Sequence, residues 1–166
     1  MNRKILYVVL IAQLLALGGL YAYHQAGLGY PLYRLRTVPV DPRDLLRGDY
    51  VILRYEISRL PDGVKPDSLG TNVWVTLKPD GDAWKIDRVE SYRGGSRGDD
   101  VANVPVLRAK REGSNLIYDL ERFYVPEGTG QNAPPSGKLV VEVAVRSNGA
   151  AQIKRVLDPD GRPWPK

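Results

Sequence analysis

Arginines and carboxylates gather at two places in this chain. Arg43, Asp44, Arg47 and Asp49 stand together, with Arg54 and Glu56 close behind; Glu121, Arg122 and Glu127 form the second group. Two carboxylates at the right separation can act as acid and base. Asp49 and Glu121 would therefore support a hydrolase if the fold joined them. An arginine fork can instead clamp an external carboxylate. The plainer explanation is local pairing: Arg43, Arg47 and Arg54 with Asp44, Asp49 and Glu56, and Glu121 with Arg122. For both groups local pairing is favoured; for the first, partner binding comes next and catalysis last. No catalytic residue is assigned.

Other chemistry is excluded by residue type. The chain has no cysteine, and its single histidine is His24, so disulfides, thiolate ligands, a serine–histidine–carboxylate triad and a multi-histidine metal site are all absent. No phosphate-binding or dinucleotide glycine motif occurs. Asp80, Asp82 and Asp87 lack EF-hand spacing, and Pro79-Asp80-Gly81-Asp82 is sufficient for a turn. A serine–lysine arrangement would need a serine that residues 24–57 do not supply. Arg47-Gly48-Asp49 and Arg97-Gly98-Asp99 spell an adhesion tripeptide, a weak match at this length. No metal or cofactor is expected. The net charge is +5, but without Arg3, Lys4 and Arg34 the balance is 21 basic against 19 acidic residues, so no nucleic-acid partner is expected.

The elements that must position these groups read as short strands. Tyr50 to Ile57 alternates, with Val51, Leu53, Tyr55 and Ile57 on one face and Tyr50, Ile52, Arg54 and Glu56 on the other. Val73, Val75 and Leu77 alternate next, and a turn at Pro79–Asp82 returns the chain through Trp84 and Ile86. Trp74 has the opposite parity to Val73 and Val75. It lies on a second buried face or forms an exposed contact patch, which makes the Trp74–Trp84 hairpin the leading contact candidate. Strands follow around Val104–Lys110, Leu139–Arg146 and Ala151–Leu157, with turns at Glu112–Asn115 and Ser147–Gly149. Leu116–Tyr124 continues as a strand or holds a short irregular segment. Pro42–Leu46 forms at most one helical turn, with Asp41 as its N-cap. Residues 92–100 and 126–137 read as loops. The expected fold is a mainly antiparallel β domain, either a sandwich or a partly closed barrel, with α+β packing as the alternative.

Ahead of this domain, Ile5–Tyr23 is one uncharged apolar run. At 1.5 Å per residue it would span about 29 Å. Three explanations compete: a permanent anchor, a cleaved signal peptide, and a buried helix. The run exceeds a usual signal core and lacks a clean small-x-small site, so the anchor is favoured. Arg3 and Lys4 lie closer to it than Arg34 and Arg36, which puts the N-terminus in the cytoplasm and the domain outside. The expected layout is an anchor over 1–24, a linker over 25–35 and an extracytoplasmic domain over 36–166.

The segment Asp41–Tyr55 resembles the signature of the GDYXXLXY family of bacterial proteins, with Gly48, Asp49, Tyr50, Leu53 and Tyr55 at every specified position. Leu120-Glu121-Arg122-Phe123-Tyr124-Val125-Pro126-Glu127-Gly128 resembles the family's downstream block, and the hairpin around Gly149 and the turn Asp160-Gly161 also fit. Two departures stand out: Asp119 where the resemblance leads one to expect glycine, and Gln131-Asn132-Ala133-Pro134 where an acidic residue is expected. The resemblance implies a membrane-associated protein of unknown biochemical function and supplies no catalytic residues.

Read by itself, the first block has a physical sense. Pro42 fixes φ, Gly48 permits a tight strand entry, and Asp49 can accept backbone hydrogen bonds. Leu53 and Tyr55 point together into the core, and the Tyr55 hydroxyl then requires a partner. The function expected is a membrane-anchored accessory domain holding an envelope or membrane protein, with the lipid bilayer as a second partner. The alternative is a carboxylate-dependent envelope hydrolase.

Overall fold

The computed structural model describes residues 3–26, 30–39, 50–92, 104–126 and 139–165. The chain divides into two compact units, Met1–Pro31 and Leu32–Lys166.

The first unit holds one helix, α1, Arg3–Ala26. Its side chains are described over 7–22, where all are exposed. Among the described residues no helix is long and apolar enough to cross a membrane. The expected single-pass anchor is therefore corrected. With it go the signal-anchor reading, the cytoplasmic-membrane location, and the lipid bilayer and membrane protein as partners.

The second unit is β-rich, with a half-barrel sheet. Its strands are β1 Leu32–Arg36, β2 Tyr50–Ile52, β3 Asn72–Asp80, β4 Ala83–Ser91, β5 Val106–Glu112, β6 Asn115–Ile117, β7 Arg122–Tyr124, β8 Val140–Val145, β9 Ala151–Leu157 and β10 Pro163–Trp164. They form sheets of order β1-β8-β9-β10, β2-β7 and β4-β3-β5-β6. Every pairing is antiparallel. Among the described residues three sheets feed one core, so the two-layer sandwich does not describe the unit. Two short 3-10 turns, Glu56–Ser58 and Pro66–Ser68, are its only described helices, so neither does α+β packing.

The core forms where period-two apolar faces meet. Val51, Leu53, Tyr55 and Ile57 are buried together with Leu35, Val73, Val75, Leu77, Leu107, Leu116, Val141 and Val143. Fully burying one such aliphatic side chain is worth about 1.5–3 kcal/mol before ordering costs. The strand expected over 50–57 is shorter than its alternation suggests: the ladder of β2 ends at Ile52 and a 3-10 turn begins at Glu56. Inward parity survives because Tyr55 still bridges Thr37 and the turn carries Ile57 inward. The segment after β6 takes the irregular option, with β7 starting only at Arg122. The helical turn expected at Pro42–Leu46, and most of the loops expected at 92–100 and 126–137, lie outside the described residues.

Two contacts tie the sheets together. The Arg36 guanidinium on β1 donates to Asp80 Oδ2 at 3.0 Å, to the Asp80 carbonyl at 2.8 Å and to Asp82 Oδ1 at 2.7 Å, gripping the β3–β4 turn. Hydrogen bonds from Lys85 and then Arg36 hold the Asp80 carboxyl below the usual carboxylate range, and Arg36 does the same for Asp82. At the other contact the β8–β9 turn docks on β3 and β5. The Gly149 carbonyl accepts from Arg108 N–H at 2.8 Å, and Trp74 lies directly beneath Gly149.

Candidate functional site

The two sequence blocks separated by some seventy residues become neighbours. β2 and β7 pair with Tyr50 opposite Tyr124, Val51 opposite Phe123 and Ile52 opposite Arg122. Beyond that ladder the Leu53 N–H donates to the Glu121 carbonyl at 2.8 Å, and the Tyr55 hydroxyl donates to the Leu120 carbonyl at 2.7 Å. Leu53 and Tyr55 are thus interior parts of the joint between the blocks, and the Tyr55 hydroxyl has the partner its burial demands.

A second tyrosine completes the joint. The Tyr118 hydroxyl donates to the Ile57 carbonyl at 2.7 Å, while the Tyr118 N–H donates to Glu121 Oε1 at 2.8 Å. Burial, reinforced by the nearby Glu121 carboxylate, pushes both the Tyr55 and Tyr118 hydroxyls well above the ordinary tyrosine range. Both therefore stay protonated and donating at neutral pH. Between Tyr118 and Leu120 the chain turns through Asp119 at φ +60°. This is a conformation in which a glycine is unstrained, which explains why glycine would suit the position.

The outward face of the joint is different in kind. Tyr50, Ile52 and Arg54 share a strand parity, and the pairing sets Tyr124 and Arg122 across from Tyr50 and Ile52. The Tyr50 and Tyr124 ring centroids are 5.9 Å apart, and the Arg122 guanidinium carbon stands 5.8 Å from the Tyr50 ring centre. Tyr124 is 71% exposed, and Arg122 and Arg54 are exposed as well. The opposite side of the pair is inward: Val51 is fully buried and Phe123 packs against Trp164.

This face runs into a groove of about 750 Å³, lined among others by Ile52, Arg54, Arg59, Asn115, Ile117 and Glu121. Glu56 and Glu112 also border it. The three carboxylates are already engaged: Glu112 by Lys110 at 2.7 Å, Glu56 by Arg36 at 3.9 Å, and Glu121 by the Tyr118 N–H. None stands as a free acid opposite a free base, so the hydrolase alternative is corrected too. Among the described residues no group of histidine or acidic side chains is arranged to hold a metal ion.

The remaining expected site residues are placed as follows. Trp74 is buried on the second face of β3, its ring centroid 5.0 Å from that of Tyr92 in a tilted pair, and is capped by Gly149. Trp84 is half-buried and meets Tyr33 edge-on at 5.1 Å. Glu121 and Arg122 do not form the expected bridge: the Glu121 side chain faces Tyr118, while Arg122 covers Tyr50. Arg43, Arg47, Gly48, Asp49 and Glu127 lie outside the described residues. Sequence reasoning did not single out Tyr124, Arg59 or Tyr118 as site residues. For Tyr124 the signal was present in its alternation with the inward Phe123.

No curated protein and no solved structure matches the chain. The model of one family does, described as GDYXXLXY protein and covering residues 14–156, a span that includes both halves of the joint. The chain therefore belongs to the GDYXXLXY family, a bacterial family of unknown function.

Proposed function

We propose that this domain is a non-covalent recognition module whose contact surface is the outward face of the β2–β7 pair and the groove beside it. The observation that carries the reading is the division of labour within the signature region. Leu53 and Tyr55 face inward and lock the two blocks together, while Tyr50, Arg54, Arg122 and Tyr124 are turned outward on one side. Tyrosine and arginine are the residue types that dominate binding energy at protein contacts, because each offers a large apolar surface with a polar end. The pair is also rigid. Its register is pinned by an inner hydrophobic face, so the outward side chains are held in place before a ligand arrives.

A site-specific photo-crosslinker tests this. Placed at Tyr124, it should yield a discrete crosslinked polypeptide in cells. Placed at the exposed Gln152 on β9, it should yield little. Equal labelling at both positions would remove the β2–β7 face from the role.

A further inference from the structure

We propose that the outer edge of β4 is a self-association edge, pairing antiparallel with β4 of a second copy of this chain. It lies on a different sheet from the β2–β7 contact surface and adds a second kind of partner.

The first support is the edge itself. β4 ends the sheet ordered β4-β3-β5-β6 and runs nine residues, Ala83–Ser91. Among the described residues no backbone hydrogen bond reaches it from the side away from β3. β1 approaches its start with side chains: Arg36 holds Asp80 and Asp82 in the turn, and Tyr33 meets Trp84 edge-on. A long edge with unpaired N–H and C=O groups is a template for another strand.

The second support is a bulge in the middle of that edge. The ladder with β3 pairs Leu77 with Ile86 and Thr76 with Arg88, so Asp87 is an extra residue. An extra residue reverses the alternation beyond it. Ile86 and Val89 therefore both turn towards the core, although they are three residues apart. Lys85, Asp87, Arg88 and Glu90 share the outer face, where Asp87 meets Lys78 at 3.0 Å.

The third support is the order of the charges. Lys85-Ile86-Asp87-Arg88-Val89-Glu90 is its own complement when reversed. In an antiparallel pair centred between Asp87 and Arg88, Lys85 meets the partner's Glu90, Ile86 meets the partner's Val89 and Asp87 meets the partner's Arg88. Each pair shares a face, and the twofold axis repeats all three. In a regular strand the same register would set outward residues against inward ones, so the bulge is what permits it. A slip of two residues either way sets Asp87 against the partner's Glu90 or Lys85 against the partner's Arg88, like against like. Charges and a bulge commonly keep a sheet edge single. Here their order admits one register. The present partners of these charges are Asp80 for Lys85, Lys78 for Asp87 and Glu90 for Arg88, all within β3 and β4. Such solvent-facing pairs hold weakly and can be shared with a second copy.

Sedimentation of the full chain over a range of concentrations tests this. The chain should form dimers. Asp87→Arg and Arg88→Asp each set like charges across the axis twice, and each should weaken the dimer about tenfold. Both side chains are exposed, so the melting temperature in dilute solution should stay within a few degrees. Mixing the two single variants should restore association as a mixed dimer, and the double variant carrying both substitutions should restore it in one chain. Tyr124→Ala should leave it unchanged. A chain that stays monomeric overturns the proposal. So does association that neither single variant weakens, or a loss that neither mixing nor the double variant repairs.

Discussion

Single residues decide how tightly the joint between the two signature blocks is held. Asp119 is the only described non-glycine residue at positive φ. A left-handed conformation costs an L-residue about 1–2 kcal/mol, and glycine escapes it while losing about 0.5–1 kcal/mol in chain entropy. Asp119→Gly should accordingly raise stability by up to about 1 kcal/mol, and Asp119→Val should lower it, as read from urea midpoints at constant slope. The two buried hydroxyls act in the other direction. Tyr55→Phe strands the Leu120 carbonyl and Tyr118→Phe strands the Ile57 carbonyl, so each should cost about 1–2 kcal/mol. They also set an alkaline limit. Burial holds both groups above the ordinary tyrosine range in the folded state, so the folded chain keeps its protons where the unfolded chain releases them. Stability should be complete below about pH 10 and fall as pH rises beyond it, and the double phenylalanine variant should show a shallower decline. An equal alkaline slope in that variant would mean that other groups control it.

At the scale of elements, the decisive contact is the β8–β9 turn on β3. Gly149 has φ +77°, and a Cβ there would overlap the edge of the Trp74 ring at Cζ3 and come to 3.1 Å from the Arg108 amide nitrogen. Gly149→Ala should therefore cost about 3 kcal/mol or more, by overpacking and backbone strain together. Trimming the obstacle with Trp74→Leu should restore part of that loss, so a double-mutant cycle should be clearly non-additive. Additive losses would show that the turn does not rest on the indole. The hairpin turns themselves were legible in sequence, because Pro79-Asp80-Gly81-Asp82, Glu112-Gly113-Ser114-Asn115 and Ser147-Asn148-Gly149 are local chemistry. So was the inward set Val51, Leu53, Tyr55 and Ile57, which depends only on parity. The length of β2 was not legible, since a 3-10 turn can bury Ile57 as a strand would. Nor were the Arg36 clamp or the Tyr50–Tyr124 face, because each joins residues far apart in the chain. The apolar run near the N-terminus shows the opposite failure. Composition alone suggested a full membrane span, and the described helix does not provide one.

At the scale of the whole molecule, the unit Leu32–Lys166 has its own core and its own closed set of pairings. A chain beginning at Leu32 should melt within a few degrees of the full-length protein and keep the same pattern of slow amide exchange. A broad, uncooperative transition would show that the unit depends on what precedes it. Within that unit, β1 is the first described strand, and among the described residues its sole ladder partner is β8: Arg34 meets Glu142 across 108 positions of sequence. During synthesis the first strand must therefore wait, edge bare, until almost all of the domain has left the ribosome. Non-local closure of this kind is slow and leaves a template for association in the meantime. A nascent chain stalled before Val140 lacks both β8 and the Gly149 turn. Quality control would meet it as an unfinished product with an open strand, not as a smaller folded domain.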